Sequence, residues 1–232
     1  MKKSHTSAPC PTHKETISGF CYLIFQLLVL PSILYMGNDQ LQHPLTEAEL
    51  NFVFYFLNFL AMLVIFHDFL GRSFAHALRH PINLIEAVIL GFVAFYAARY
   101  LTESLIRILL PGYSNYNDSS IAAMKQTNAF LMLIGTVVLV PPFEECIYRG
   151  LIFRNLYGKN HLVAYVVSIL AFSMIHILGY IGQYAPLELF MAFLQYLPAG
   201  LCLAWSYVRG DTIFAPILIH AAVNYITING MR

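Results

Sequence analysis

Apolar stretches of about twenty residues recur along the chain, separated by short polar or glycine-containing breaks. Such a length suits a helix crossing a hydrocarbon layer roughly 30 Å thick. On this pattern helices are expected over about 18–36, 51–70, 83–101, 127–157, 161–178, 186–207 and 212–228. Gly158, Gly179, Gly210 and Gly230 mark several of the ends. The fourth segment is the longest and holds Pro141-Pro142 near its middle. Two missing amide donors there predict a kink or a restart. Between 102 and 126 the pattern loosens, with 105–110 apolar and 111–120 polar and turn-rich, as in a re-entrant or interfacial segment. No fixed-period repeat suggests the duplicated halves of many transporters.

Composition turns this pattern into a solvent. Hydrophobic residues make up 59% of the 232, charged ones 11%, and mean hydropathy is +0.65, whereas soluble domains carry about 25% charged residues. The fold class is therefore all-α, a polytopic membrane bundle of about seven helices with room for an eighth. Residues 1–126 supply N-terminal helices and loops, and 127–232 the helices that carry the chemistry, in one membrane-embedded unit. The polar N-terminus with Lys2, Lys3 and Lys14 precedes an apolar segment but no small-residue cleavage site, so the first helix is expected to be retained. With the N-terminus inside, Lys2, Lys3, Lys14, Arg72, Arg79, Arg149, Arg154, Lys159 and Arg209 share the cytoplasmic side and outnumber Arg99, Arg107, Lys125 and Arg232. This favours a plasma-membrane protein with a cytoplasmic N-terminus.

A net charge of +1 with no basic run beyond Lys2-Lys3 argues against nucleic acid as a partner. Cys10, Cys21, Cys146 and Cys202 lack C-x-x-C spacing and read as packing residues, Cys146 standing out because it lies between glutamates and an arginine. Oligomeric state leaves no trace in the sequence.

Against the apolar background three polar clusters stand out: Glu144-Glu145 with Arg149, Phe172 with His176, and His220 with Asn224. An ionisable group costs about 2.5–3.5 kcal/mol or more at the bilayer centre, so each is a functional candidate. At 1.5 Å per residue from the cytoplasmic ends of their helices, Glu144, His176 and Asn224 lie about 21, 22 and 18 Å deep. One level suits one convergent site. Glu145 and Arg149 are spaced i, i+4 and share a helix face, where they can neutralise each other, leaving Glu144 turned about 100° away. Phe172 with His176, and His220 with Asn224, share faces in the same way, the second pair suited to hold an oxyanion as uncharged donors.

Other polar residues have plainer readings. His67 and Asp68 fit an interface position, and Glu86 fits a headgroup-level residue or a cavity wall. Glu188 and Gln195 either contact a substrate backbone or satisfy each other at two turns' spacing. Glu144 or Glu145 alone would serve as a structural partner of Arg149. The aromatic residues are first of all packing, lipid-facing or interface side chains.

The ordered motifs E-E-x-x-x-R (Glu144, Glu145, Arg149), F-x-x-x-H (Phe172, His176) and H-x-x-x-N (His220, Asn224) resemble the CAAX prenyl protease and bacteriocin-processing family, also called Abi. Leu197-Pro198-Ala199-Gly200 and the run 211–216 are similar to that pattern too, and the resemblance covers about 140–228. It implies an intramembrane endopeptidase acting on a membrane-associated peptide or lipidated protein, such as a CAAX-type prenylated C-terminus or a bacteriocin- or pheromone-like peptide. In that reading Glu144 and His176 activate water, His220 and Asn224 stabilise the oxyanion, and Glu145 with Arg149, beside Phe172, holds the helix. No cofactor is favoured. The alternatives are a zinc metallopeptidase using Glu144, His176 and His220, or a non-catalytic peptide-binding immunity protein or transporter. Against zinc stand the missing H-E-x-x-H helix and the oxyanion chemistry of Asn224.

Overall fold

The computed structural model describes residues 8–231; Lys2, Lys3 and Arg232, which entered the charge comparison, lie outside them. The described chain forms ten helices: α1 His13–Leu28, α2 Leu30–Asp39, α3 Glu47–Ile65, α4 His67–Arg79, α5 Pro81–Leu109, α6 Tyr116–Thr127, α7 Ala129–Tyr157, α8 His161–Leu178, α9 Pro186–Gly210 and α10 Phe214–Gly230. No strand occurs among the described residues, so the fold is the all-α bundle that the apolar pattern implies.

Five helices, α3, α5, α7, α8 and α9, are long and apolar enough to span a membrane. The first expected span is instead a bent pair, α1 and α2 meeting at 42°. Pro31 sits just past the break, where its ring and missing N–H oppose a straight continuation. Counting the pair as one span gives six. The seventh expected span, α10, has 17 residues, about 26 Å of helix, and packs inside the bundle against α5, α7 and α9. Hydrophobic side chains turn outward as a lipid-facing protein requires: Val64, Ile108 and Leu162 are 79%, 75% and 72% exposed.

Two boundaries differ from the sequence pattern. The second apolar segment stops at Ile65, and α4 continues as a helix whose buried side, Phe69, Ser73 and Ala77, faces the bundle. Glu15 of α1 makes that break tolerable, because its Oε1 accepts the Phe69 amide at 2.7 Å. Helix α5 runs on through Thr102, Glu103 and Arg107 to Leu109, stitched by the Arg99–Glu103 pair at 2.6 Å. Polar residues there ended the apolar pattern but not the helix.

The two ends of the bundle are closed differently. At one end the segment before α1 is tied down: Arg154 donates to the Ala8 carbonyl, Tyr207 to that of Pro9 and Arg72 to that of Cys10. Glu86 pairs with Arg209 at this same end, so it does not line the cavity. His67 and Asp68 form an exposed pair at 3.2 Å. At the other end the 111–128 region, including α6, covers the bundle.

Small residues set the helix spacing in the centre. A Cβ on Gly200 of α9 would lie 3.1 Å from the Cα of Ile169 on α8, so close a backbone approach that any added side chain would push the two helices apart by a few tenths of an ångström. Gly200→Val is expected to cost about 1–3 kcal/mol, read as a lower melting temperature in detergent. An unchanged melt would contradict this close packing.

Candidate active site

The prolines of α7 widen the helix rather than break it. Residues 135–139 and 146–153 are π-helical, and the Val140 amide donates back to Gly135. Pro141 offers no N–H, so the Thr136 carbonyl is left without its intrahelical donor. Asn224 of α10 supplies one: its Nδ2 donates to Thr136 O at 2.8 Å. A helix defect written by Pro141 thus seats one of the candidate side chains.

The α-helical stretch between the π turns carries both glutamates, which face different surroundings. Glu145 is fully buried, and its Oε1 accepts from Arg149 Nη1 at 2.9 Å and from His220 Nδ1 at 2.8 Å. Arg149, also 0% exposed, donates from Nη2 to Gly200 O and lies 4.2 Å from the Phe172 ring centre. The predicted i, i+4 pair is therefore joined from outside its own helix by His220 of α10. Glu144 points elsewhere, its Oε2 receiving no protein hydrogen bond and lying 4.0 Å from His220 Nε2.

Both histidines are fixed through Nδ1. A carbonyl only accepts, so the 2.7 Å contact of His176 Nδ1 with Phe172 O places the proton on Nδ1 and leaves Nε2 as an acceptor in the neutral ring. His220 donates its Nδ1–H to Glu145, so its Nε2 can donate only when the ring is protonated. This alters the expectation of two uncharged oxyanion donors. It also makes His220 part of the buried Glu145 network, so its loss is not free of structural consequence.

Glu144, Phe172, His176, His220 and Asn224 line a single cavity of ≈ 180 Å³, with Glu145 and Arg149 behind its wall. The segment before residue 127 contributes to the same cavity through Tyr55, Phe95, Arg99, Glu103, Asn115, Asn117 and Asp118. None of these stood out in the sequence except as scattered polar or aromatic positions. Burial pushes the Asp118 carboxyl above its usual value, against the pull of the Arg99 guanidinium. Gln195 is a cavity residue as well, but its Oε1 accepts from Asn115 and Tyr113, not from Glu188, which caps the start of α9 at Ala185. Cys146 is buried packing, and all four cysteines are free.

Among the described residues no three His, Cys, Asp or Glu side chains converge closely enough to hold a metal ion. Glu144, His176 and His220 share the cavity without forming such a set.

Lipid-facing helices around a buried cavity with carboxylate and imidazole walls define an integral membrane protein with an intramembrane polar site. Residues 126–226, from the end of α6 into α10, match the family described as type II CAAX prenyl endopeptidase Rce1-like. That segment, a little under half of the chain, is similar to the CAAX prenyl protease family, as its three ordered motifs suggested, and the match supports a CAAX-type intramembrane protease, a hydrolase, in general terms. No curated protein and no solved structure matched the chain.

Proposed function

We propose that the cavity is the active site of an intramembrane endopeptidase in which Glu144 and His176 activate a water for attack on a substrate carbonyl. The observation that carries this reading is the meeting of Glu144, His176, His220 and Asn224, from three helices, on one cavity. Glu144 presents a carboxylate oxygen that the protein leaves unbonded, and His176 presents Nε2 as an acceptor. Water gives its proton to Glu144 as its oxygen bonds to the carbonyl carbon. The resulting oxyanion receives the remaining amide hydrogen of Asn224 and the Nε2–H of protonated His220, whose charge Glu145 balances. Collapse breaks the C–N bond, and the proton held on Glu144 passes to the leaving amine.

Glu145, Arg149 and Phe172 act as the frame behind this wall. The catalytic unit is 127–232, and 1–126 completes the cavity and embeds it. Substrates are membrane-associated peptides or lipidated proteins, a CAAX-type prenylated C-terminus first among them, with bacteriocin- or pheromone-like peptides as the second class. Lys14, Arg72, Arg79, Arg154, Lys159 and Arg209 fall at the end of the bundle that holds the N-terminal segment, which supports a cytoplasmic N-terminus. Arg149 no longer counts toward that comparison, since it is a buried partner rather than a loop charge. Comparing membrane peptide profiles of cells carrying the wild-type or Glu144→Ala protein tests the reading: peptides that accumulate only with the variant are the substrates, and identical profiles would contradict it.

A metal-dependent version rests on the same anchoring of both rings through Nδ1, which also suits metal ligation through Nε2. Glu144, His176 and His220 would have to draw together to hold the ion. Cleavage by the purified protein is expected to survive chelators. Near one zinc per chain, lost and restored together with activity, would move the mechanism to the metallopeptidase class.

A further inference from the structure

The cavity wall contains a chain of contacts from His176 to the α6 end of the bundle. The Tyr196 ring on α9 stacks on the His176 imidazole, with centres 4.0 Å apart and planes at 24°. Its hydroxyl then leaves the site: Asn117 Nδ2 donates to it at 3.1 Å, and it donates to Asn115 Oδ1 at 3.4 Å. Asn115 is the N-cap of α6, accepting the amides of Asn117 and Asp118. One phenol therefore touches a ring of the active site on its face and the start of a covering helix at its tip.

That helix is held by rim contacts and by a small apolar cluster, Met124 and Ile121 with Ala48, Met132 and Ile228, that is separate from the main core. Tyr116 stacks on Tyr184, Ser120 accepts from Tyr180 at 3.2 Å, and Lys125 donates to the carbonyls of Ile228 and Met231. These rim contacts are polar or aromatic, and the apolar cluster beneath α6 is small, whereas α5, α8 and α9 are joined by the extensive apolar packing of the main core. Residues Asn115, Asn117 and Asp118 of this region face the same cavity as Glu144. A peptide entering from the α6 end would meet these residues first.

We propose that Tyr196 is a positioning residue for His176 and couples its orientation to the seating of α6, so that closing the cap over a substrate and aligning His176 are one event. The coupling rests on the role given to His176 above. It has two mechanical parts, the stack, which fixes the imidazole plane, and the two hydroxyl bonds, which fix the phenol. Loss of the hydroxyl leaves the stack present but free to rotate. Loss of the Asn117 donor has the same effect from the cap side, so the two changes act through one link.

The test compares Tyr196→Phe, Asn117→Ala and the double variant in detergent or vesicles, with cleavage kinetics and ¹⁵N-histidine NMR at fixed pH, the His176 signal being assigned by its loss in His176→Gln. Each single variant is expected to lower kcat about tenfold, to shift the His176 ring signal in the same sense, and to keep the wild-type melting temperature. The double variant is expected to be no worse than either single one. A His176 signal unmoved in both variants, or losses that multiply in the double, would overturn the coupling. The NMR readout does not depend on turnover, so it separates this outcome from failure of the catalytic reading, which would show as full cleavage by His176→Ala.

Discussion

Glu144→Gln is expected to abolish peptide cleavage while the protein still folds and melts as the wild type does. The substitution keeps the shape and volume of the side chain but removes the carboxylate that takes the proton from water. Removing a general base typically costs 10² to 10⁴-fold in rate, so turnover should fall by at least about a hundredfold. Stability should be nearly untouched, because Glu144 Oε2 accepts no hydrogen bond from the protein and its nearest ionisable neighbour, His220 Nε2, stands 4.0 Å away. His176→Ala should fall by a similar factor through loss of the Nε2 acceptor. Cleavage rates beside melting curves decide the matter. Full activity in Glu144→Gln would sink the assignment of the base.

The opposite profile is expected for Arg149→Ala. Glu145 and Arg149 are both fully buried, and their 2.9 Å pair is the means by which two charges are tolerated within the bundle. Removing one partner strands the other, at about 3–5 kcal/mol for a buried pair. His220 softens this loss by donating to the same Oε1, but one imidazole cannot replace a guanidinium that also bonds Gly200 O and covers Phe172. The variant should melt well below the wild type or accumulate poorly. Replacing both partners without charge, as Glu145→Gln with Arg149→Met, should recover part of the stability, since no charge is then buried alone. An Arg149→Ala protein that melts like the wild type would show that the pair does not brace the site.

These two profiles follow from features that were legible to different degrees. Local spacing is visible in a sequence, so the Glu145–Arg149 pair and the separate direction of Glu144 could be read from helical periodicity. The Nδ1 bond from His220 to Glu145 could not, because 75 positions separate them and no periodicity connects two helices. That single contact changes His220 from an uncharged donor into a member of the buried network. The seat of Asn224 on Thr136 was half visible: Pro141-Pro142 announced missing donors, but the widening into π turns and the arrival of Asn224 are tertiary events. The apolar pattern located the spanning helices well and their polar extensions poorly. Glu103 and Arg107 fell in the stretch read as re-entrant or interfacial, although Arg99 and the backbone satisfy their polarity within a continuing helix, and Asn115, Asn117 and Asp118 lay in the turn-rich part although they line the cavity.

The most direct test of the account is to reconstitute the protein in vesicles with a prenylated CAAX-type peptide and identify the products by mass spectrometry, for the wild type and for Glu144→Gln in parallel. Hydrolysis of one internal peptide bond by the wild type, with the peptide left intact by the variant, is the predicted result. The same products from both proteins, or an intact peptide with a correctly folded wild type, would contradict it.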